Sequence, residues 1–145
     1  MLNCVHHVAI STPDLARLQA FYCDLLGFKE INRTAWPAGT GMVNRVLGLD
    51  DCAATTVMLQ GPGLCIELFQ FSLPHAPVHD PARPVHHYGL THICLDVSDI
   101  DSVYFRMREA GVAFHCPPQD FGASKATYGR DPDGNVFELQ EILTP

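Results

Sequence analysis

Two stretches of the chain repeat one ordered pattern, and that duplication limits the fold more than any other feature. His7-Val8-Ala9-Ile10 aligns with His92-Ile93-Cys94-Leu95. An Asp-Leu or Asp-Ile pair follows in each half (Asp14-Leu15, Asp99-Ile100), then an apolar helical stripe closed by a glycine, Gly27 or Gly111. Each half ends on an apolar-Glu-Leu triplet, Ile66-Glu67-Leu68 or Phe137-Glu138-Leu139. Self-similarity of this kind marks a supersecondary unit that buries its apolar face with the help of a copy of itself.

Within each unit the local grammar reads strand, helix, strands. Val5 to Ser11 alternates apolar with small or polar residues, the period of a strand. Thr12-Pro13-Asp14 predicts an N-cap, a proline in the first helical position and an acid in the first turn, with Leu15, Leu18, Tyr22 and Leu25 as the stripe. Ser98-Asp99-Ile100-Asp101 resembles a capping box with Asp in place of Glu, followed by Ile100, Val103, Met107 and Ala110. Further strands are expected at about 54–60, 64–71, 112–116, 126–130 and 135–142, with Asp131-Pro132-Asp133-Gly134 as the turn before the last. The segment from Arg33 to Asp51, with Trp36, Pro37, Gly39, Gly41 and Gly48, reads as a long loop or bent helix. Between the halves, Pro74, Pro77, Pro81 and Pro84 alternate with His75, His79, His86 and His87, a density of proline that breaks helix and sheet alike. The expectation is one domain over residues 1–145, with module one at about 1–72, a linker at about 73–88 and module two at about 89–145.

Bulk properties exclude several functions. Nine basic residues against 16 acidic ones leave a net charge of −7 and no basic face for nucleic acid. No apolar run approaches the ~18 residues of a membrane span. Met1-Leu2-Asn3-Cys4 carries no readable signal peptide, and six scattered cysteines without a CxxC pair suit reduced thiols in the cytoplasm.

The duplicated polar residues carry the chemistry. Strand alternation puts His7 on the face of Ala9 and Ser11, and His92 on that of Cys94 and Asp96, opposite their apolar neighbours. Glu67 and Glu138 each interrupt an apolar strand, where a buried carboxylate is costly unless paired or metal-bound. Taken singly, a strand histidine is ordinarily a hydrogen-bonded core or surface residue. The joint recurrence of His and Glu in both halves points instead to one divalent cation. His6 and His87 read as surface neighbours, the linker histidines as bland, and His115 as structural. Cys65 and Cys94 read as small lining residues, and Trp36, Met42, Phe69, Phe121 and Tyr128 as candidate pocket walls.

His7 to Leu26 (HVAISTPDLARLQAFYCDLL), His92 to Ile100 and Tyr128 to Leu139 (YGRDPDGNVFEL) resemble the vicinal oxygen chelate superfamily. This is the group of glyoxalases, bleomycin-resistance proteins and extradiol dioxygenases. The resemblance covers nearly the whole chain. It implies an α+β fold of two βαβββ modules forming a cupped eight-stranded mixed sheet, a metal in the cup, and a homodimer. Members related to glyoxalase I use His, Glu, His and Glu as ligands, which implies that His7, Glu67, His92 and Glu138 hold Zn, Ni, Co, Mn or Fe(II). The implied activity is an isomerase, epimerase or lyase acting on a small oxo or thioester substrate through a metal-stabilised enolate, with Glu138 or Glu67 as base. Ser11 stands where a glutathione-contacting Arg is expected in glyoxalase I, and Asp-Pro-Asp-Gly replaces the glycine-rich ending of methylmalonyl-CoA epimerases. Tyr128, ten residues before Glu138, resembles the catalytic Tyr of extradiol dioxygenases, an alternative in which Fe(II) is held by three ligands and Glu67 turns away. A metal-free sequestering protein is the third reading. In all three the partner is a small molecule, with no nucleic acid or membrane.

Overall fold

The computed structural model describes residues 1–77 and 80–143, so the linker histidine His79 lies outside the described residues. The chain divides into two compact units, Met1–Val78 and His79–Pro145.

In the first unit β1 (His7–Ser11) leads into α1 (Leu15–Ala20), which continues as a π-helical turn over Phe21–Leu25. Then come β2 (Lys29–Trp36), α2 (Gly41–Leu47), β3 (Ala53–Gln60) and β4 (Cys65–Leu73). The sheet order is β1-β4-β3-β2, with β1 parallel to β4 and the other pairs antiparallel. Helix α1 packs on β4. Leu15, Leu18, Phe21 and Tyr22 are buried from the helix side, and Val57, Leu59, Ile66 and Leu68 from the sheet. Each such side chain contributes on the order of 1.5–3 kcal/mol by leaving water.

The second unit repeats this plan: β5 (Ile93–Asp96), α3 (Ile100–Glu109), β6 (Ala113–Phe114), β7 (Gln119–Asp120), β8 (Ser124–Arg130) and β9 (Val136–Ile142). Its sheet runs β5-β9-β8-β6, with β7 also on β8 and β5 parallel to β9. The strand expected over 112–116 is the two-residue β6, and β7, not foreseen from the sequence, follows it on β8. Pro117 and Pro118 stand between them and have no N–H to give to a ladder.

Other expectations are corrected. Residues 33–36 belong to β2, and 41–47 form a helix ended by Gly48 at φ 67°, so the segment 33–51 is not one loop. The cap of α1 is Asp14, not Thr12: Asp14 Oδ1 accepts from the Arg17 amide, and Pro13 precedes the helix. Thr12 instead ends the strand layer, buried, donating its amide to the Phe69 carbonyl. The cap of α3 is Asp99, at φ 57°, accepting from the Ser102 amide. The side chain closing that cap is not Asp101, which pairs with Lys125 at 2.8 Å. It is Glu141 on β9, which accepts from the Asp99 and Ile100 amides at 2.8 and 3.1 Å. Gln70 on β4 does the same for the Leu15 amide at 3.0 Å. Gln70 and Glu141 each lie three residues beyond a triplet glutamate, on the opposite sheet face. The last strand of each module thus holds the helix with one face and leaves Glu67 or Glu138 on the other.

The Asp131-Pro132-Asp133-Gly134 turn is built around Asp131, whose Oδ1 accepts the amides of Asp133 and Asn135. Arg130 donates to the carbonyls of Gly134, Pro81 and Arg83, strapping linker residues to the turn. Gly134 sits at φ +86°, and a Cβ there would meet the Pro81 backbone. All six cysteines are free thiols. Among the described residues no helix is long and apolar enough to cross a membrane.

Glu141→Ala leaves two helix-end amides without their carboxylate and should cost about 1–2 kcal/mol in urea denaturation. Gln70→Ala, which frees only one, should cost less. Gly134→Ala combines a strained φ with a backbone clash and should lower the thermal midpoint more than either.

Candidate functional site

Parallel pairing fixes where the polar residues stand. In the first module Ala9 lies opposite Glu67, so His7, two residues earlier on β1, is a diagonal neighbour on the same face. In the second, Cys94 lies opposite Glu138, and His92 again stands two residues earlier, just ahead of β5. The result is a His–Glu couple in each module: His7 Nε2 to Glu67 Oε2 at 3.4 Å and His92 Nε2 to Glu138 Oε2 at 3.0 Å.

The other ring nitrogen is held the same way in both. His7 Nδ1 hydrogen-bonds His6 Nδ1 at 2.8 Å, and His92 Nδ1 hydrogen-bonds Thr91 Oγ1 at 2.9 Å. The residue before each histidine therefore orients the ring and aims Nε2 at the carboxylate, the arrangement that outer partners give to metal-binding imidazoles. His6 is exposed, but it is not a bystander.

These couples are not deeply buried. Side-chain exposure is 37% and 21% for His7 and Glu67, and 25% and 17% for His92 and Glu138. Burial of naked carboxylates, the cost expected from the strand pattern, is thus only partial. The donor geometry makes the stronger case. Ligand atoms about 2.1 Å from one cation are about 3.0 Å apart at 90° and about 3.4 Å apart at the tetrahedral angle. Both couples match an edge of such a polyhedron, and imidazole with carboxylate suits Zn, Ni, Co, Mn or Fe(II). Among the described residues no group of three or more His, Cys, Asp or Glu side chains is placed to hold a metal ion.

Around the second couple the face is polar. Tyr128 lies opposite Glu138 across β8 and β9, its ring 4.8 Å from that of His92. Burial raises its phenol pKa, and the Glu138 and Cys94 charges add to this, so it stays protonated near neutrality. Cys94 donates to Gln140 Oε1 at 3.2 Å. Burial, the charge of Glu138, the hydrogen bond with it and the charge of Asp96 push that thiol up to about 11. His115, read as structural, lies exposed with its ring 6.1 Å from Tyr128; burial and Arg130 lower its pKa.

Around the first couple the face is aromatic. Trp36 meets Phe69 edge-on at 6.2 Å, and Phe69 stacks on Phe71 at 5.6 Å. Ser11 is exposed at the end of β1, on the His7 face. Met42 is exposed on α2, and Phe121 is exposed on the turn between β7 and β8. Sequence reasoning missed His6, Thr91 and Gln140. Only their position beside a candidate ligand, or two residues past one, marks them.

The model of the Glyoxalase/Bleomycin resistance protein/Dioxygenase superfamily matches residues 5–139. The chain is 33% identical to YaeR of Escherichia coli (strain K12), described as uncharacterized, over 97% of each chain. It is 28% identical to a probable lactoylglutathione lyase of Synechocystis, over 92% of this chain and 91% of that one. A solved glyoxalase family protein of Bacillus cereus shares the fold, with a TM-score of 0.88, 23% identity and coverage of 99% and 97%. The duplicated modules and the family match over nearly the whole chain lead to one statement: the chain belongs to the Glyoxalase/Bleomycin resistance protein/Dioxygenase superfamily.

Proposed function

We propose that the protein is a divalent-metal-dependent isomerase, epimerase or lyase, cytoplasmic and homodimeric, acting on a small oxo or thioester substrate. The observation that carries this reading is the duplicated His–Glu couple, with each Nε2 and Oε2 set at the spacing of neighbouring metal ligands. His7, Glu67, His92 and Glu138 together form the set, and His6 and Thr91 orient its imidazoles. A bound dication supplies Lewis-acid polarisation of a substrate oxygen, which acidifies the adjacent C–H. Glu67 takes that proton, since its couple is the longer and more exposed of the two. Tyr128 stays protonated beside His92 and donates to a substrate oxygen. Similarity to a probable lactoylglutathione lyase supports this class of chemistry.

One observation favours a second reading. Tyr128 lies against His92 and opposite Glu138, as a ring-cleaving Fe(II) dioxygenase requires of an acid–base residue. That enzyme takes up oxygen with catechols and needs no ligand from Glu67. Catechol-dependent oxygen uptake by the Fe(II)-loaded protein would replace the first reading with the second.

Elemental analysis of the purified protein should find a first-row dication in stoichiometric amount. His7→Ala and His92→Ala should each weaken retention against a chelator by more than the roughly 10–100-fold of an outer-partner loss, and Thr91→Ala by about that factor. A protein that neither holds nor takes up metal refutes the reading. Solvent deuterium should exchange into a carbon next to the carbonyl of an accepted substrate, without oxygen consumption. Glu67→Gln should slow this by about 10²–10⁴-fold, with metal content measured alongside to separate lost base from lost ligand.

A further inference from the structure

The two modules keep their His–Glu couples at equivalent places, but the residues beside the couples diverge. One strand position past Glu67 on the same face is Phe69, and the next is Phe71; the equivalents past Glu138 are Gln140 and Ile142. Opposite the glutamates stand Met58 in the first module and Tyr128 in the second. The fold does not need aromatic rings there, because the second module builds the same sheet without them. The larger part of the core lies on the other face with Ile66, Leu68, Val57 and Leu59, while on the face of the rings the small residues Ala54 and Thr56 are buried opposite Phe71 and Phe69.

Trp36 completes this aromatic row from β2, and it is pinned. Its indole N–H donates to Cys52 Sγ at 3.3 Å, and the fully buried Cys52 donates its thiol to Asn44 Oδ1 at 3.1 Å. Asn44 in turn bonds Asp51, which accepts the Gly39 and Cys52 amides. The polar atom of the indole is thereby satisfied by Cys52, and the ring meets Phe69 edge-on. Trp36, Phe69 and Phe71 are all half-buried, rather than sealed.

We propose that the substrate carries a planar apolar group, an aryl ring by preference, that lies on Trp36, Phe69 and Phe71 while its oxygens lie toward Glu67. The continuity of the row with Glu67 along one strand face commits it to the substrate of that site. This rests on the metal-site reading only for the placement of the oxygens. Aromatic rings favour edge-on or offset contact with another ring, which a methyl group cannot offer.

Trp36 is the sole tryptophan, so its emission reports directly on the row. The test titrates the metal-loaded and the chelator-treated protein with phenylglyoxylate and with pyruvate, which share an α-oxo acid head. Phenylglyoxylate should perturb Trp36 emission and bind at least ten-fold tighter than pyruvate. Phe69→Ala should collapse that ratio toward one, and Phe69→Leu, which keeps bulk, should lower it part of the way. Equal affinities, or a ratio indifferent to both Phe69 variants, overturns the proposal. So does dissociation of a dimer on Phe69→Ala with an unchanged ratio, which would assign the face to a second copy. Metal content measured in the same samples judges the four-ligand reading separately: loss of the metal with the aryl preference intact would sink that reading and leave this one.

Discussion

Parallel pairing between the first and last strand of each module is the constraint on which everything else rests. It places Ala9 beside Glu67 and Cys94 beside Glu138, and so puts the preceding histidine diagonally across from the carboxylate. Because side chains alternate, a slip of one residue would send the glutamate into the helix-packed core and an Ile or Leu to the open face. The register is therefore held by the core as firmly as by the backbone: Ile66, Leu68 and Leu139 are fully buried and Phe137 nearly so. Hydrophobic burial on one face sets the donor geometry on the other.

The same strands also start the helices. Gln70 and Glu141 reach the first amides of α1 and α3 from the core side of β4 and β9, so strand register and helix start are one decision. The backbone repeats it with the Thr12 amide on the Phe69 carbonyl and the Val97 amide on the Gln140 carbonyl, both at 2.8 Å. Duplication has thus preserved a frame that couples ligand, strand and helix, while the flanking positions went separate ways. The first module has Phe69 and Met58 where the second has Gln140 and Tyr128, an apolar surround against a hydrogen-bonding one. Matching His–Glu couples with unlike surroundings are what duplication followed by divergence leaves.

What was legible in the sequence is what repeats or punctuates. The two histidines, the two triplets, the stripes of α1 and α3 and the Asp-Pro-Asp-Gly turn each leave a local pattern. The placement of β2 was hidden because it is an edge strand with a bulge between Glu30 and Asn32 and almost uniform exposure, so it shows no alternation. The second acceptor at each helix start, Gln70 or Glu141, was hidden because it comes from a strand 41 or more positions away, and capping patterns see only near neighbours. The expected strand over 112–116 stopped before Pro117-Pro118; β7 beyond them was hidden because two residues are too few to show a period.

The partial exposure of the couples changes the argument for a metal. An unpaired carboxylate deep in a core would demand a cation, but Glu67 and Glu138 already meet an imidazole and some water. A protonated histidine satisfies a carboxylate as a salt bridge at the same spacing, so distance alone does not select the metal. The second nitrogen is a separate observation. A salt bridge at the surface needs no fixed ring, yet both rings are anchored at Nδ1 by the residue before them, one an imidazole and one a hydroxyl. Two unlike side chains doing the same orienting task at equivalent positions is what a demand on Nε2 direction would produce. Direction matters to a coordination bond far more than to an exposed ion pair, and that is the physical reason to read the couples as ligands.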